Sequence, residues 1–240
     1  MFKKLAISLI FGALLIPVSL SSECNESIIT TDATINREVA PDTAKIRFMI
    51  ESSGLNLSSI KEKNDKTAND AIAAIKATLN QNESIKTVAF NVRNVYSYKD
   101  KVRVFQKYIV SNGFEVKLKD LDKISKVINI AMEHGVKNVS GINFIIEDSE
   151  SVCNQMMADA IKMGKKRIQH LSIAAGTSLD KAKSINPYCS LSSSHTQPRL
   201  NKLYSNSLAD SASMEGANLE TIEPGTINVK ASVNMIYYLK

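Results

Sequence analysis

Three histidines, three cysteines and one pair of neighbouring aspartates are the residues of this 240-residue chain with most capacity for chemistry. His134, His170 and His195 are isolated, and none has a cysteine, histidine or carboxylate at zinc-ligand spacing, so structural or surface roles fit them better than metal binding. Asp120 and Asp122 look like a paired carboxylate site. Residues two apart on a helix point in different directions, however, and a capping role explains the first while solvent exposure explains the second. The chain has no GxSxG elbow, no phosphate-binding glycine loop and no HExxH helix. The expectation is a protein that is not an enzyme, with no catalytic, cofactor-binding or metal-binding residues and no cofactor.

The start of the chain sets the compartment of the cysteines. Met1-Phe2-Lys3-Lys4 precedes an apolar run from Leu5 to Leu20, with small residues at Ser19, Ser21 and Ser22. That is the form of a signal peptide over residues 1–22, cleaved between Ser21 and Glu23. The run is shorter than the roughly 20 residues of a spanning helix, and Pro17 sits near its end. Glu23 stands where a lipoprotein signal wants a small residue before Cys24. Export follows, with association at the outer membrane left open and direct membrane contact expected only through the signal peptide before cleavage.

An oxidising compartment permits disulfides. A helix running up from Cys153 and a strand returning to Cys189 can bring that pair together, making Cys153 and Cys189 the candidate disulfide; the odd cysteine count keeps free thiols, buried or exposed, as the alternative. The net charge of +6 falls to +4 once Lys3 and Lys4 leave with the signal, too mild to point to nucleic acid. Tyr96, Tyr98, Lys99, Lys101, Arg103, Phe105, Lys107 and Tyr108 interleave aromatics with cations as single-strand-binding surfaces do. A half-buried hairpin has the same composition, and export removes the nucleic acid. The basic run Lys162, Lys165, Lys166 and Arg167 reads as a solvated helix face.

The elements around these residues follow from periodicity. Between Val102 and Leu118 most even positions are apolar, the signature of one long half-buried strand. Asn112-Gly113 is a strong hairpin signal, but folding back there would mix the two faces, so a bulge or bend at Gly113 is preferred. Asp120 caps a helix whose apolar face is Leu121, Ile124, Val127, Ile128 and Ala131, and Gly135 ends it. Ile142, Phe144 and Ile146 alternate in a further strand. Upstream, Ile28 to Arg37 and Ala44 to Glu51 read as strands joined by a Pro41-Asp42 turn, Asn56 to Asn80 as a helix, and Ile85 to Val92 as a strand leading to a Lys99-Asp100-Lys101 turn. Downstream, Glu147-Asp148-Ser149-Glu150-Ser151 starts a helix with the stripe Cys153, Met156, Met157, Ala160, Ile161, Gly164, Ile168, Leu171 and Ala175. Ala182 to Cys189 is a candidate strand, Leu191 to Glu223 a mobile insertion, and Ile227 to Leu239 a core strand. The class is α+β: a mixed, mainly antiparallel sheet of long strands with about three flanking helices.

The order and spelling of Pro41-Asp42-Thr43-Ala44, Tyr96-Ser97-Tyr98, Val116-Lys117-Leu118-Lys119-Asp120-Leu121, Gly135 before Gly141-Ile142-Asn143-Phe144, and Pro224-Gly225 resemble the SIMPL-domain family of exported bacterial proteins. The family includes periplasmic immunogenic and oxidative-stress-associated members. The resemblance covers nearly all of residues 23–240; a glycine expected in the first strand is replaced by Asp32-Ala33-Thr34, and the proline usual before Tyr96 is missing. It implies long curved strands with flanking helices, a tendency to self-assemble into rings, and no established catalytic residues. The expected function is therefore a non-enzymatic periplasmic protein that forms a homo-oligomer or meets envelope partners, with a part in envelope or oxidative stress protection. The alternative is a small-ligand or thiol redox protein using Cys153 and Cys189 or the 191–223 insertion.

Overall fold

A computed structural model describes residues 26–193 and 222–240. The signal segment 1–22, Cys24, His195 and nearly all of the 191–223 insertion lie outside the described residues. Seven strands, β1 (Ile28–Val39), β2 (Thr43–Gly54), β3 (Ser84–Lys99), β4 (Val102–Leu118), β5 (Asn138–Ile145), β6 (Leu179–Ser193) and β7 (Ile227–Leu239), combine with three helices, α1 (Leu57–Lys76), α2 (Ile124–Glu133) and α3 (Ser149–Ala174). The class is α+β as expected, and every strand pair is antiparallel. The strands divide between two sheets, one ordered β1-β7-β6 and the other β3-β4-β2-β5. Pro41-Asp42 is thus not a hairpin turn: it carries the chain from one sheet into the other.

Each sheet has its own core. Ile46 and Phe48 of β2 and Phe114, Val116 and Leu118 of β4 face α1 and α2, and the Phe48 and Phe114 rings stack with centroids 5.0 Å apart. Side chains of this size buried from water each stabilise the fold by about 1.5–3 kcal/mol. Asn64, fully buried on α1, donates from Nδ2 to the carbonyls of Ile50 and Val110 at 3.2 and 3.1 Å, fixing the helix to β2 and β4 at once. Asn56 caps α1 by accepting from Ser59 N–H. Asp120 caps a short turn at Leu121–Lys123 that leads into α2, and Gly135, at φ 87°, ends α2 in the left-handed conformation.

The second core joins α3 to the β1-β7-β6 sheet through Met156, Ala160, Ile168, Ala33, Val229, Val233 and Met235. The buried row on α3 is Met156, Ala160, Gly164, Ile168 and Ser172, one residue every four. Leu171, expected on that face, stands 45% exposed, and Ala175 is exposed also. A helix on a sheet this narrow covers only a thin stripe, so the broader sequence stripe overshoots it. Strand β6 continues past Cys189, pairing Leu191, Ser192 and Ser193 with Val229, Asn228 and Ile227.

Asn112-Gly113 does not turn. Strand β4 continues through it, pairing Gly113 with Met49 of β2 and Ala89 of β3. The irregularity expected at Gly113 is instead carried across the ladder, where Val88 of β3 is the extra residue between Thr87 and Ala89. The β3 to β4 turn is Asp100-Lys101, both with positive φ (51° and 66°).

Candidate functional site

Apart from the cysteine pair, the described sequence-selected chemical residues do not converge. His134 sits exposed just after α2 and His170 exposed on α3. Asp120 accepts from Asp122 N–H at 3.2 Å, a local cap, while Asp122 points to solvent. Lys162, Lys165, Lys166 and Arg167 are exposed along α3. Among the described residues no group of three or more histidine, cysteine, aspartate or glutamate side chains gathers in metal-binding geometry.

Two features do bring distant residues together. Cys153 in the first turns of α3 and Cys189 of β6 are joined as a disulfide with a Cα–Cα distance of 5.7 Å. It ties the helix to an edge strand of its sheet. The second is a set of charged networks whose members are scattered along the chain. Glu115 of β4, only 3% exposed, is held between Arg47 Nε at 2.8 Å and Lys86 Nζ at 3.1 Å on the flanking strands. Burial by itself raises its pKa, but these two cations and their hydrogen bonds outweigh it and hold the carboxyl below its ordinary value. Where the chain passes between the sheets, Asp42 accepts from Glu147 N–H at 2.9 Å. Glu147 in turn pairs with Lys117 and Lys119, whose hydrogen bonds pull its pKa down to about 2. These networks stitch strands and connections together.

The basic and aromatic stretch around Tyr96 takes a definite form. Strand β2 pairs with β4 only as far as Gly54 opposite Tyr108. Beyond that point β3 and β4 pair with each other alone, so Val95 to Lys107 stand out as a two-stranded arm. One face carries Tyr96, Tyr98, Arg103, Phe105 and Tyr108: the Arg103 guanidinium lies 3.6 Å from the Tyr96 ring centroid, and Phe105 packs against Tyr96 and Tyr108 at 5.8 and 4.7 Å. The sequence showed the composition of this surface, but not that it projects beyond the helix-covered sheet.

The described residues thus form a two-sheet α+β body with ion networks between strands and connections and a projecting two-stranded arm. The chain belongs to the SIMPL family, described as a protein of unknown function (DUF541), which matches residues 29–237. It is 19% identical to the uncharacterized protein YggE of Escherichia coli K12 over 243 residues, covering 100% of this chain and 94% of that protein. It is 20% identical over 152 residues to the 26 kDa periplasmic immunogenic protein of Brucella melitensis, covering 61% of each.

Proposed function

We propose that this chain is an exported, non-enzymatic periplasmic protein that works by contact, assembling with further copies of itself or with envelope proteins in a role of envelope or oxidative stress protection. The Brucella relative, a periplasmic immunogenic protein, supports the compartment. The observation that carries assembly is the edges of both sheets, open among the described residues: β1 and β6 bound one, β3 and β5 the other. An unpaired edge offers backbone N–H and C=O groups to another chain. Three of the four edges carry protection. Strand β6 contains Pro187 and two register shifts, β5 has only eight residues, and β3 carries Lys86, Arg93 and Lys99 with no carboxylate. Strand β1, twelve residues with no proline and mixed charges, lacks such protection. Light scattering on the purified protein at micromolar concentration tests the reading: a mass that is a multiple of the chain supports it, and a monodisperse monomer overturns it.

A second reading, a thiol redox protein, is favoured by the Cys153 and Cys189 pairing alone. It expects Cys189→Ser to change peroxide survival of the host while leaving stability unchanged.

A further inference from the structure

The arm formed by the ends of β3 and β4 is the part of the molecule whose surface the rest of the fold leaves unexplained. Residues 93–107 hold five cations, Arg93, Lys99, Lys101, Arg103 and Lys107, against the single carboxylate of Asp100. None of those cations forms an ion pair among the described residues, whereas the buried or seam carboxylates Glu83, Glu115 and Glu147 are all matched by cations of the body. The excess positive charge of the arm is therefore uncompensated among the described residues.

The arm is also apolar on both faces. Register places Tyr98 opposite Arg103 and Tyr96 opposite Phe105 on one side, and Lys99 opposite Val102 and Ser97 opposite Val104 on the other. Tyr98 is 76% exposed and Val102 62% exposed, one from each face, directly beside the Asp100-Lys101 turn. At the shoulder where the arm leaves the body, Leu55 is 74% exposed, and the first turn of α1 beside it contains no acidic residue. From Tyr108 to the turn the arm reaches about 20 Å, at roughly 3.3 Å per residue.

We propose that this arm docks, tip first, on an anionic phospholipid surface, with Tyr98 and Val102 entering the headgroup and acyl boundary and Lys99, Lys101 and Arg103 meeting lipid phosphates. A protein partner of ordinary kind covers one face of a ribbon; a tip with apolar side chains on both faces suits a medium that surrounds it. Tyrosine favours the membrane interface, and lysine and arginine stems lie along apolar surface while their charges reach outward. A second copy of the chain is a poor occupant, because β3 has only cations along its edge and pairing it with itself gathers like charge. The aliphatic Val102 and Val104 offer no stacking surface to a nucleic acid strand. The inference departs from the sequence expectation that membrane contact ends with signal cleavage, and it stands independently of self-assembly.

The test is co-sedimentation of the purified protein with phosphatidylcholine vesicles, with and without phosphatidylglycerol. Binding to the anionic vesicles alone, weakened by salt, is expected. The triple variant Lys99→Ser, Lys101→Ser, Arg103→Ser lowers the apparent affinity ~100-fold, in line with the attraction of each cation to an anionic surface. The chain has no tryptophan, so Val102→Trp supplies a single reporter whose emission shifts to the blue with anionic vesicles and stays unchanged with phosphatidylcholine. An absent shift or equal binding by the triple variant overturns the proposal. So does a change in mass by light scattering in the triple variant without vesicle binding by the parent, which assigns the arm to a second copy. Binding of dextran sulfate in place of vesicles assigns it to a soluble polyanion and overturns the lipid reading as well. A monomeric protein that binds anionic vesicles refutes self-assembly and leaves the lipid proposal intact.

Discussion

Lys123 Nζ lies 3.3 Å from the carboxylate of Glu83, whose side chain has no solvent exposure. The same carboxylate accepts from the backbone N–H groups of Asn80, Lys119 and Asp120 at 2.8, 3.1 and 3.1 Å. It fastens the connection between α1 and β3 to the connection between β4 and α2. Burial raises the pKa of Glu83, but the N–H donors and Lys123 outweigh it and hold the folded value below the ordinary one. A depressed folded pKa stabilises above the unfolded value, about 4.3, and that stability is lost as pH falls through the folded value. Glu83→Ala is expected to cost about 3 kcal/mol at neutral pH by leaving the three backbone N–H donors without their acceptor and Lys123 without its buried carboxylate. In urea unfolding, the gap between the parent and Glu83→Gln should narrow as pH drops below about 4; a gap independent of pH contradicts the role of the charge.

Gly164 marks the closest approach of α3 to its sheet. A Cβ placed there would lie 2.6 Å from Met235 Sδ and 3.4 Å from the Ala33 Cβ. Met235 is fully buried and has little room to yield. Gly164→Ala gains about 1 kcal/mol in helix propensity but forces the helix off the sheet, so a net loss of about 1–2 kcal/mol is expected. A thermal melt reads the sign directly, and an increase in melting temperature contradicts the packing argument.

The Cys153 and Cys189 bridge closes a loop of 36 residues in sequence. Loop closure of that length is worth about 4 kcal/mol in the chain-entropy account. If the bridge serves the fold, Cys189→Ser lowers stability by an amount of that order and leaves host peroxide survival unchanged. If it serves redox chemistry, survival changes and the melt does not. Running both measurements on the same variant separates the two readings.

Asp100 and Lys101 are both left-handed at the tip of the arm. Asparagine followed by glycine adopts this two-residue turn with less strain. Asp100→Asn with Lys101→Gly is expected to slow amide exchange in the arm, by about 1 kcal/mol of local opening free energy, while the global melt stays unchanged. Unaltered exchange at Ser97 and Val104 would show that the turn does not limit the arm's stability.

Much of this fold is legible residue by residue. Alternation marks β4 and β7, and capping chemistry marks the start of α1 at Asn56 and the end of α2 at Gly135, because these signals depend on neighbours within a few residues. The arm shows how far such signals reach. The strongest turn signal, Asn112-Gly113, lies inside a continuous strand, while the real turn is spelled with the less favourable Asp100-Lys101. At Gly113 the decisive contacts are Ala89 Cβ and Met49 Cε, each 3.2 Å from where a side chain would begin, and neither belongs to the local sequence. Glu115 reads as a surface residue on the polar side of β4, yet Arg47 and Lys86 on the two neighbouring strands enclose it.

By itself the sequence determined the α+β class, the number of helices, the main strands and the lack of any recognised catalytic motif, since each rests on local periodicity, propensity or motif spacing. Only the tertiary structure decided that the strands part into two sheets, that β1 pairs with β7 almost two hundred residues away, and that the basic aromatic hairpin runs on past its neighbours. Those outcomes depend on which strand edges find each other across the whole chain, and strand pairing is chosen by long-range burial that no local pattern encodes.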